Sequence, residues 1–447
     1  MLRFLRAAMT SSPKRVPIPA NGVDYRGNVV LAPMVRSGEL PSRLLALKYG
    51  ADLVWGPETI DKAMIGTTRR VNPRNGTIEF TRMPSNSVKK ETPQESVIYR
   101  LDPVREKGKL IFQMGTASPE LAVQAGKLVA ADVNGIDVNS GCPKPFSTIG
   151  GMGAALLRTP DKLVAILEAL VKEVGEPFKI GISVKIRLLE TPELTESLVS
   201  RLVQTGITGL TIHCRTTPMR PRERAIRDQL RMIVSICHNA GVACVMNGDV
   251  NSRDEAIALM QEYGADGGMI ATAAEANSSC FRSKEDGGLA HWREVAYAYT
   301  KFAIECENRF GNTKFLMNII VPGRDKEFPQ AQQAKQSKSY ADYCHFLGFE
   351  DLMPAALEAD EVLNLTDKSI TRAGNDIRSK AVENAKANNV TARAAGGAPR
   401  SKTTSPATGG IGPIRTNSIP KPTKAEEKPA DVEPSTIPAS QNEGLTV

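Results

Sequence analysis

The sequence predicts an α/β chain: a (β/α)8 TIM barrel, then a smaller all-α helical domain and a disordered C-terminal tail. Three observations predict this. Short β-branched or apolar runs alternate with amphipathic helical stretches between residues 27 and 275. Eight such alternations over about 250 residues have the length and rhythm of a closed barrel. From about residue 290 the alternation stops and helical patterning alone remains, until from about 374 the chain becomes rich in Ala, Asn, Pro, Ser, Thr and Lys. Such a segment buries too little apolar surface to offset the entropy of ordering.

The strands are expected over 28–34, 51–55, 109–114, 135–139, 181–186, 209–213, 243–247 and 268–271. Helices are expected over 41–49, 119–131, 159–174, 194–205, 226–239 and 252–263, with Ser118, Thr159 and Ser252 as N-caps. Gly50, Gly206, Gly241 and Gly264 stand where helices end. A doubly wound open sheet is the competing fold. It calls for a glycine fingerprint after the first strand, where this chain reads Pro33-Met34-Val35-Arg36-Ser37. The long connection 58–108 carries Arg69, Arg70, Arg74, Lys89 and Lys90. It reads either as a lid over the barrel mouth or as a solvated elaboration. In the helical domain, helices over 291–310 and 330–346 are expected, separated by Gly311-Asn312-Thr313 and Val321-Pro322-Gly323. The resulting domains are a flexible N-terminal segment 1–22, a catalytic barrel 23–285, a helical domain 286–370 and a tail 371–447.

Composition narrows the class. Of 447 residues, 41% are hydrophobic and 24% charged, as in an ordinary globular protein. The seven cysteines form no C-x-x-C pair, which argues against structural zinc, iron–sulfur clusters and a disulfide framework. No apolar run approaches the roughly 20 residues needed to span a bilayer. A net charge of +8 suits a polyanion partner but equally an enzyme of neutral substrates. The first residues carry Arg3, Arg6, Lys14 and Arg15 with no acid before Asp24, and read either as a mitochondrial presequence or as a frayed tail. Cytoplasmic or nuclear localisation with a mitochondrial pool is the corresponding expectation. A monomer is the default assembly.

Catalytic groups in a barrel project from the C-terminal ends of its strands. Those ends read Pro33-Met34-Val35, Gln113, Asn139 with Cys142, Lys185 with Arg187, His213, Asn247-Gly248-Asp249 and Ala271-Thr272. Each alone has a bland reading: an inert thiol, a solvated lysine, a structural histidine. Together they place a ring of polar groups where the fold expects a pocket. Lys185 suits the reduced, anionic form of an electron-accepting ring. Gln113, Asn139 and His213 suit the edge of a planar heterocycle. Asn247-Gly248-Asp249 and the backbone after the eighth strand stand where barrels bind phosphate. No His/Asp/Glu cluster offers three metal ligands. A phosphate-bearing flavin fits this distribution better than a metal. Cys142, between Gly141 and Pro143, is expected to be exposed and mobile, and a thiol there can deliver a proton beside a carbon that receives hydride.

The runs LAPMVRSGELPSR, DVNSGCPKPFSTIGGMGAALL, SVKIR, TIHCRTTPMRPRER, VMNGDV and GADGGMIATAAEANSSCF resemble the tRNA-dihydrouridine synthases, most closely the eukaryotic branch acting on uridine 20 of the D-loop. The resemblance covers about residues 27–281, and FGNTKFLMNII extends it into the helical domain. It implies an oxidoreductase that uses FMN, reduced by NADPH, to saturate the C5–C6 bond of a uridine in tRNA. Cys142 then resembles the general acid that protonates C5. Asn139, Lys185 and Arg187 resemble the residues that hold the uracil edge, with Lys185 also near the flavin. Pro33, Met34, Val35, Gln113, His213, Asn247, Gly248, Asp249, Ala271 and Thr272 fall on flavin contacts. No separate dinucleotide motif is present, and Gly151-Met152-Gly153 reads as a flexible loop behind Cys142.

The chain departs from the family's pattern in two places. Where the family has an arginine after the eighth strand, it has Ala271-Thr272, which puts FMN affinity in question. Its tail lacks the apolar content of the double-stranded-RNA-binding domain of animal relatives. RNA capture then falls to the barrel mouth, the helical domain and the basic tail, with Arg220, Arg222 and Arg224 read either as phosphate contacts or as a solvated loop. Two other readings stand beside this one: an FMN barrel reducing a free pyrimidine or small enone, and a non-catalytic RNA-binding relative.

Overall fold

Sequence alternation becomes eight parallel strands: β1 (Asn28–Leu31), β2 (Val54–Trp55), β3 (Leu110–Gly115), β4 (Gly135–Ser140), β5 (Gly181–Leu188), β6 (Gly209–Thr216), β7 (Ala243–Asn247) and β8 (Gly267–Ile270). Each pairs with the next, and β8 pairs with β1 through Asn28↔Gly267, so the sheet closes on itself. This computed structural model describes residues 16–83, 95–220 and 222–365. The N-terminal targeting reading on residues 1–15, Lys89 and Lys90, and the tail expected from 371 lie outside them.

The crossover helices span Leu40–Lys48, Pro119–Val129, Pro160–Leu170, Pro192–Leu202, Leu230–Ala240 and Arg253–Tyr263. Ser118 and Ser252 accept the N–H groups of Leu121 and Glu255, as N-caps do. Thr159 does not cap. Its helix begins at Pro160, which has no N–H to satisfy at the first position. Gly241 and Gly264 end their helices in the left-handed conformation, at φ 80° and 74°.

Two apolar layers hold the barrel. One lies between strands and helices. The other fills the floor inside, where Tyr25, Val30, Leu53, Trp55, Ile111, Val245 and Met269 pack together. Above that floor the inward side chains turn polar. A barrel interior filled in this way is a core and not a pore, so chemistry is confined to its upper rim.

The long second connection is an antiparallel sheet of Thr68–Val71, Ile78–Arg82 and Ser96–Leu101. Its arginines are used in ion pairs: Arg69 with Asp132, Arg70 with Glu79 and Glu95, and Arg74 with Glu307. Arg100 joins Glu79 and donates to the Glu307 carbonyl. The insert is thereby tied to the helical region.

That region contains Trp292–Glu305, Phe310–Ile320, Ala331–Ala334, Tyr340–Leu347 and Met353–Val362. Gly311-Asn312-Thr313, expected to separate helices, lies inside one. Phe310 stacks edge-on against Tyr340, and the Thr313 hydroxyl meets the Tyr340 hydroxyl at 2.8 Å, so tertiary contacts override the local breaker signal. Met353–Val362 was not expected from the sequence. Its buried Asp360 accepts the backbone N–H groups of Tyr340 and Ala341, capping the preceding helix across the fold. Helix Trp292–Glu305 packs on Leu40–Lys48, which fixes the helical region against the barrel. Among the described residues no helix is long and apolar enough to cross a membrane.

Candidate active site

Strand pleating brings the site together. Residues two apart on a strand share a face, and Asp137 and Asn139 on β4 align with Ser183 and Lys185 on β5. Arg187 then aligns with His213 on β6, and His213 with Asn247 on β7. Lys185 Nζ donates to Asn247 Oδ1 at 3.1 Å, passing β6 to reach β7. Only an inward side chain can make that contact.

Beneath this ring the expected Gln113 joins a polar layer with Asp137 and Ser183, two residues not among the expected site groups. Gln113 Nε2 donates to Asp137 Oδ2 and Ser183 Oγ to Asp137 Oδ1, each at 2.8 Å. Burial pushes the Asp137 carboxyl up to about 6, and the hydrogen bonds and Lys185 oppose this. Asp137 thereby orients Gln113. An inward acid two residues before Asn139 in a strand was the available signal.

The cysteine loop, expected to be mobile from Gly141 and Pro143, is tied down by hydrogen bonds. Asn139 Oδ1 accepts the N–H groups of Gly141 and Cys142 at 3.0 and 3.1 Å. Arg187 Nε donates to the Gly141 carbonyl at 2.7 Å and its Nη1 to the Thr216 carbonyl. Ala154 N–H donates to the Cys142 carbonyl at 2.9 Å. Cys142 is half-buried. Asn139 and Arg187, expected at the substrate edge, thus bind the loop that presents the thiol. Gly151-Met152-Gly153 is likewise packed: at Gly153, φ +57°, a Cβ would stand 2.6 Å from the Cys142 carbonyl.

Electrostatics separates the groups. Burial, with Lys185, Arg187 and Arg215 nearby, pushes the His213 imidazole down to about 2, so it is neutral at physiological pH. Burial and then Arg187 push the Lys185 ammonium down to about 8. Burial pushes the Cys142 thiol up, and the Glu58 carboxylate adds to this. A neutral thiol is the form that can donate a proton.

The remaining expected residues lie on the loops beyond β1, β7 and β8. Pro33 and Met34 are half-buried after β1, and Met34 packs on the interior floor. Val35 is 46% exposed. The Asp249 carboxylate is occupied by Arg215 and by the Ala225 N–H. Arg227 donates to the carbonyls of Gly248 and Asp249 at 2.9 and 2.8 Å. Ala271 and Thr272 open the short helix Thr272–Ala276. Arg220, Arg222 and Arg224 are exposed. Among the described residues no three His, Cys, Asp or Glu side chains are grouped to hold a metal ion.

A closed barrel with a thiol, an ammonium, a neutral imidazole and oriented amides at its strand ends has the architecture of a barrel enzyme. Comparison with known proteins gives the family. Residues 30–314 match the model of the dihydrouridine synthase (Dus) family. The tRNA-dihydrouridine(20) synthase of Schizosaccharomyces pombe is 51% identical over 323 residues, covering 72% of this chain and 64% of that relative. The Saccharomyces cerevisiae tRNA-dihydrouridine(20) synthase is 46% identical over 320 residues, covering 70% of this chain and 82% of that relative. A tRNA-dihydrouridine(20a/20b) synthase-like protein of Mus musculus is 30% identical over 58% of this chain and 71% of its own length. The chain spans just under two thirds of the S. pombe relative. This protein belongs to the dihydrouridine synthase family.

Proposed function

We propose that this chain is a tRNA-dihydrouridine(20) synthase that reduces the C5–C6 double bond of a D-loop uridine. The observation that carries the reading is the pinned Cys142 loop, set beside Lys185 and Arg187 on the neighbouring strand. FMN, reduced by NADPH, supplies the hydride when bound.

The residues present suit that cofactor. A neutral His213 and the oriented Gln113 offer hydrogen bonds to a planar ring without an opposing charge. Among the described residues Lys185 donates to Asn247, and its ammonium retains donors for the ring's acceptor edge. Gly248 has φ +117°, and a Cβ there would stand 3.2 Å from the His213 ring and 3.3 Å from Ala225, so the glycine lets this loop pack closely against the imidazole. Arg215 and Arg227 keep positive charge around Gly248-Asp249 although Thr272 occupies the family's arginine position.

Within the protein, Arg187 and Asn139 aim the loop, and Cys142 gives its proton to C5 of the uracil. The target base must leave its stack to reach the mouth, so the chain acts on a flipped nucleotide. The exposed Arg220, Arg222 and Arg224 and the helical region are the surfaces assigned to the tRNA backbone.

Purified protein given NADPH and tRNA that lacks dihydrouridine is expected to form it in the D-loop, and free uridine is expected to leave NADPH oxidation at background. Equal turnover of free uridine would sink the tRNA reading. Lys185→Met is expected to weaken flavin binding about tenfold or more, the loss of a charge-assisted hydrogen bond. Flavin occupancy of the purified variant checks it, and unchanged occupancy would remove Lys185 from the cofactor's surroundings.

A further inference from the structure

Glu58, in the run Trp55-Gly56-Pro57-Glu58 after β2, places its carboxyl against the cysteine loop from another part of the barrel. Ser147, buried on the short helix Pro145–Thr148, donates to Oε1 at 2.9 Å. The other oxygen, Oε2, is buried with no donor in full hydrogen-bond geometry, and the Asn139 and Cys142 side chains lie beside the carboxyl; burial pushes Glu58 up, and Ser147, Asn139 and Cys142 oppose this. Two glycines keep this space open. A Cβ on Gly115 would stand 2.6 Å from Oε1, and one on Gly153 would stand 2.4 Å from Ser147 Oγ. A buried carboxylate oxygen without a donor is disfavoured by packing considerations alone, and calls for a functional explanation.

We propose that Glu58 is a positioning residue for Cys142: its carboxyl, anchored through Ser147 with its other oxygen turned to the thiol, holds the sulfur in place and helps to keep it protonated. This rests on the reading of Cys142 as proton donor. The charges around the thiol make the need plain. Lys144 on its own loop, with Arg187 and Lys185 from β5, all favour a thiolate. Glu58 brings the opposing negative charge. Burial is the larger cause of the neutral thiol, and Glu58 adds to it against the three cations, so without Glu58 the cysteine is expected to ionise at lower pH.

The test is the pH dependence of iodoacetamide alkylation of Cys142 in the flavin-loaded protein, followed by mass. The other cysteines are buried, so the reaction reads this thiol. Glu58→Gln keeps the shape and removes the charge. It is expected to move the alkylation midpoint to lower pH by about one unit, about tenfold faster reaction on the acid limb. An unchanged midpoint in a variant that still binds flavin and melts normally would reduce Glu58 to packing and overturn the proposal. Should Glu58→Gln fail to load flavin, Ser147→Ala decides, since it keeps the charge and cuts the anchor. A lowered midpoint supports the proposal and an unmoved one overturns it. Alkylation needs no tRNA, so a midpoint shift in a protein that reduces no uridine would refute the proposed reaction while leaving the Glu58–Cys142 coupling intact.

Discussion

Cys142→Ala is expected to lower the rate of uridine reduction in tRNA by at least about 100-fold, the lower end of what a positioned general acid contributes. The argument depends on separating the thiol from its loop. The loop is held by backbone groups: the N–H groups of Gly141 and Cys142 on Asn139, the Gly141 carbonyl on Arg187, and the Cys142 carbonyl on the Ala154 N–H. None of these requires the sulfur, so the variant should keep its fold, its flavin and its affinity for tRNA. What disappears is the proton. Single-turnover oxidation of the reduced enzyme by tRNA measures that step directly. A variant retaining a tenth or more of the wild-type rate would show that another group protonates C5.

The second large effect concerns stability. Arg43 and Glu106 form an ion pair at 2.6 Å with both side chains 1% exposed. Arg43 also donates to the carbonyls of Gly38 and Arg100, and Glu106 Oε2 accepts the Asp102 N–H. One side chain thus joins helix Leu40–Lys48, the loop after β1 and the inserted sheet. Arg43→Ala is expected to destabilise the protein by about 3–5 kcal/mol, because it leaves the Glu106 carboxylate buried without its counter-charge. Urea denaturation of the two proteins measures the difference. Arg43→Met combined with Glu106→Leu should lose less than the sum of the single changes, since an apolar pair of similar size carries no uncompensated charge. A strictly additive double variant would mean that the pair is not coupled.

The barrel was legible in the chain because a parallel strand buried on both faces reads as an apolar run, and helices between such runs carry their own period and end signals. β7 runs from Ala243 to Asn247 as expected, and other strands differ by a few residues at their ends. The ring of strand-end groups was legible for the same reason: in a barrel, sequence position at a strand's end is spatial position at the mouth. The misses share a cause. Glu58 stood at the head of a long connection, with no local mark of the Ser147 or Cys142 that lie 89 and 84 residues further along. The helix through Gly311-Asn312-Thr313 depends on Tyr340, and Met353–Val362 is joined to the fold through Asp360.

By itself, then, the sequence determined the barrel, the order of polar groups around its mouth and the family resemblance carried by their motifs, because strand and helix periods and residue spacing are local properties. Only the tertiary structure decided that Asn139 and Arg187 hold the Cys142 loop through hydrogen bonds, that the insert's arginines are consumed in ion pairs, and that Glu58 faces the thiol. Those facts depend on hydrogen bonds and charges between segments distant in sequence, and they exist only once the barrel has closed.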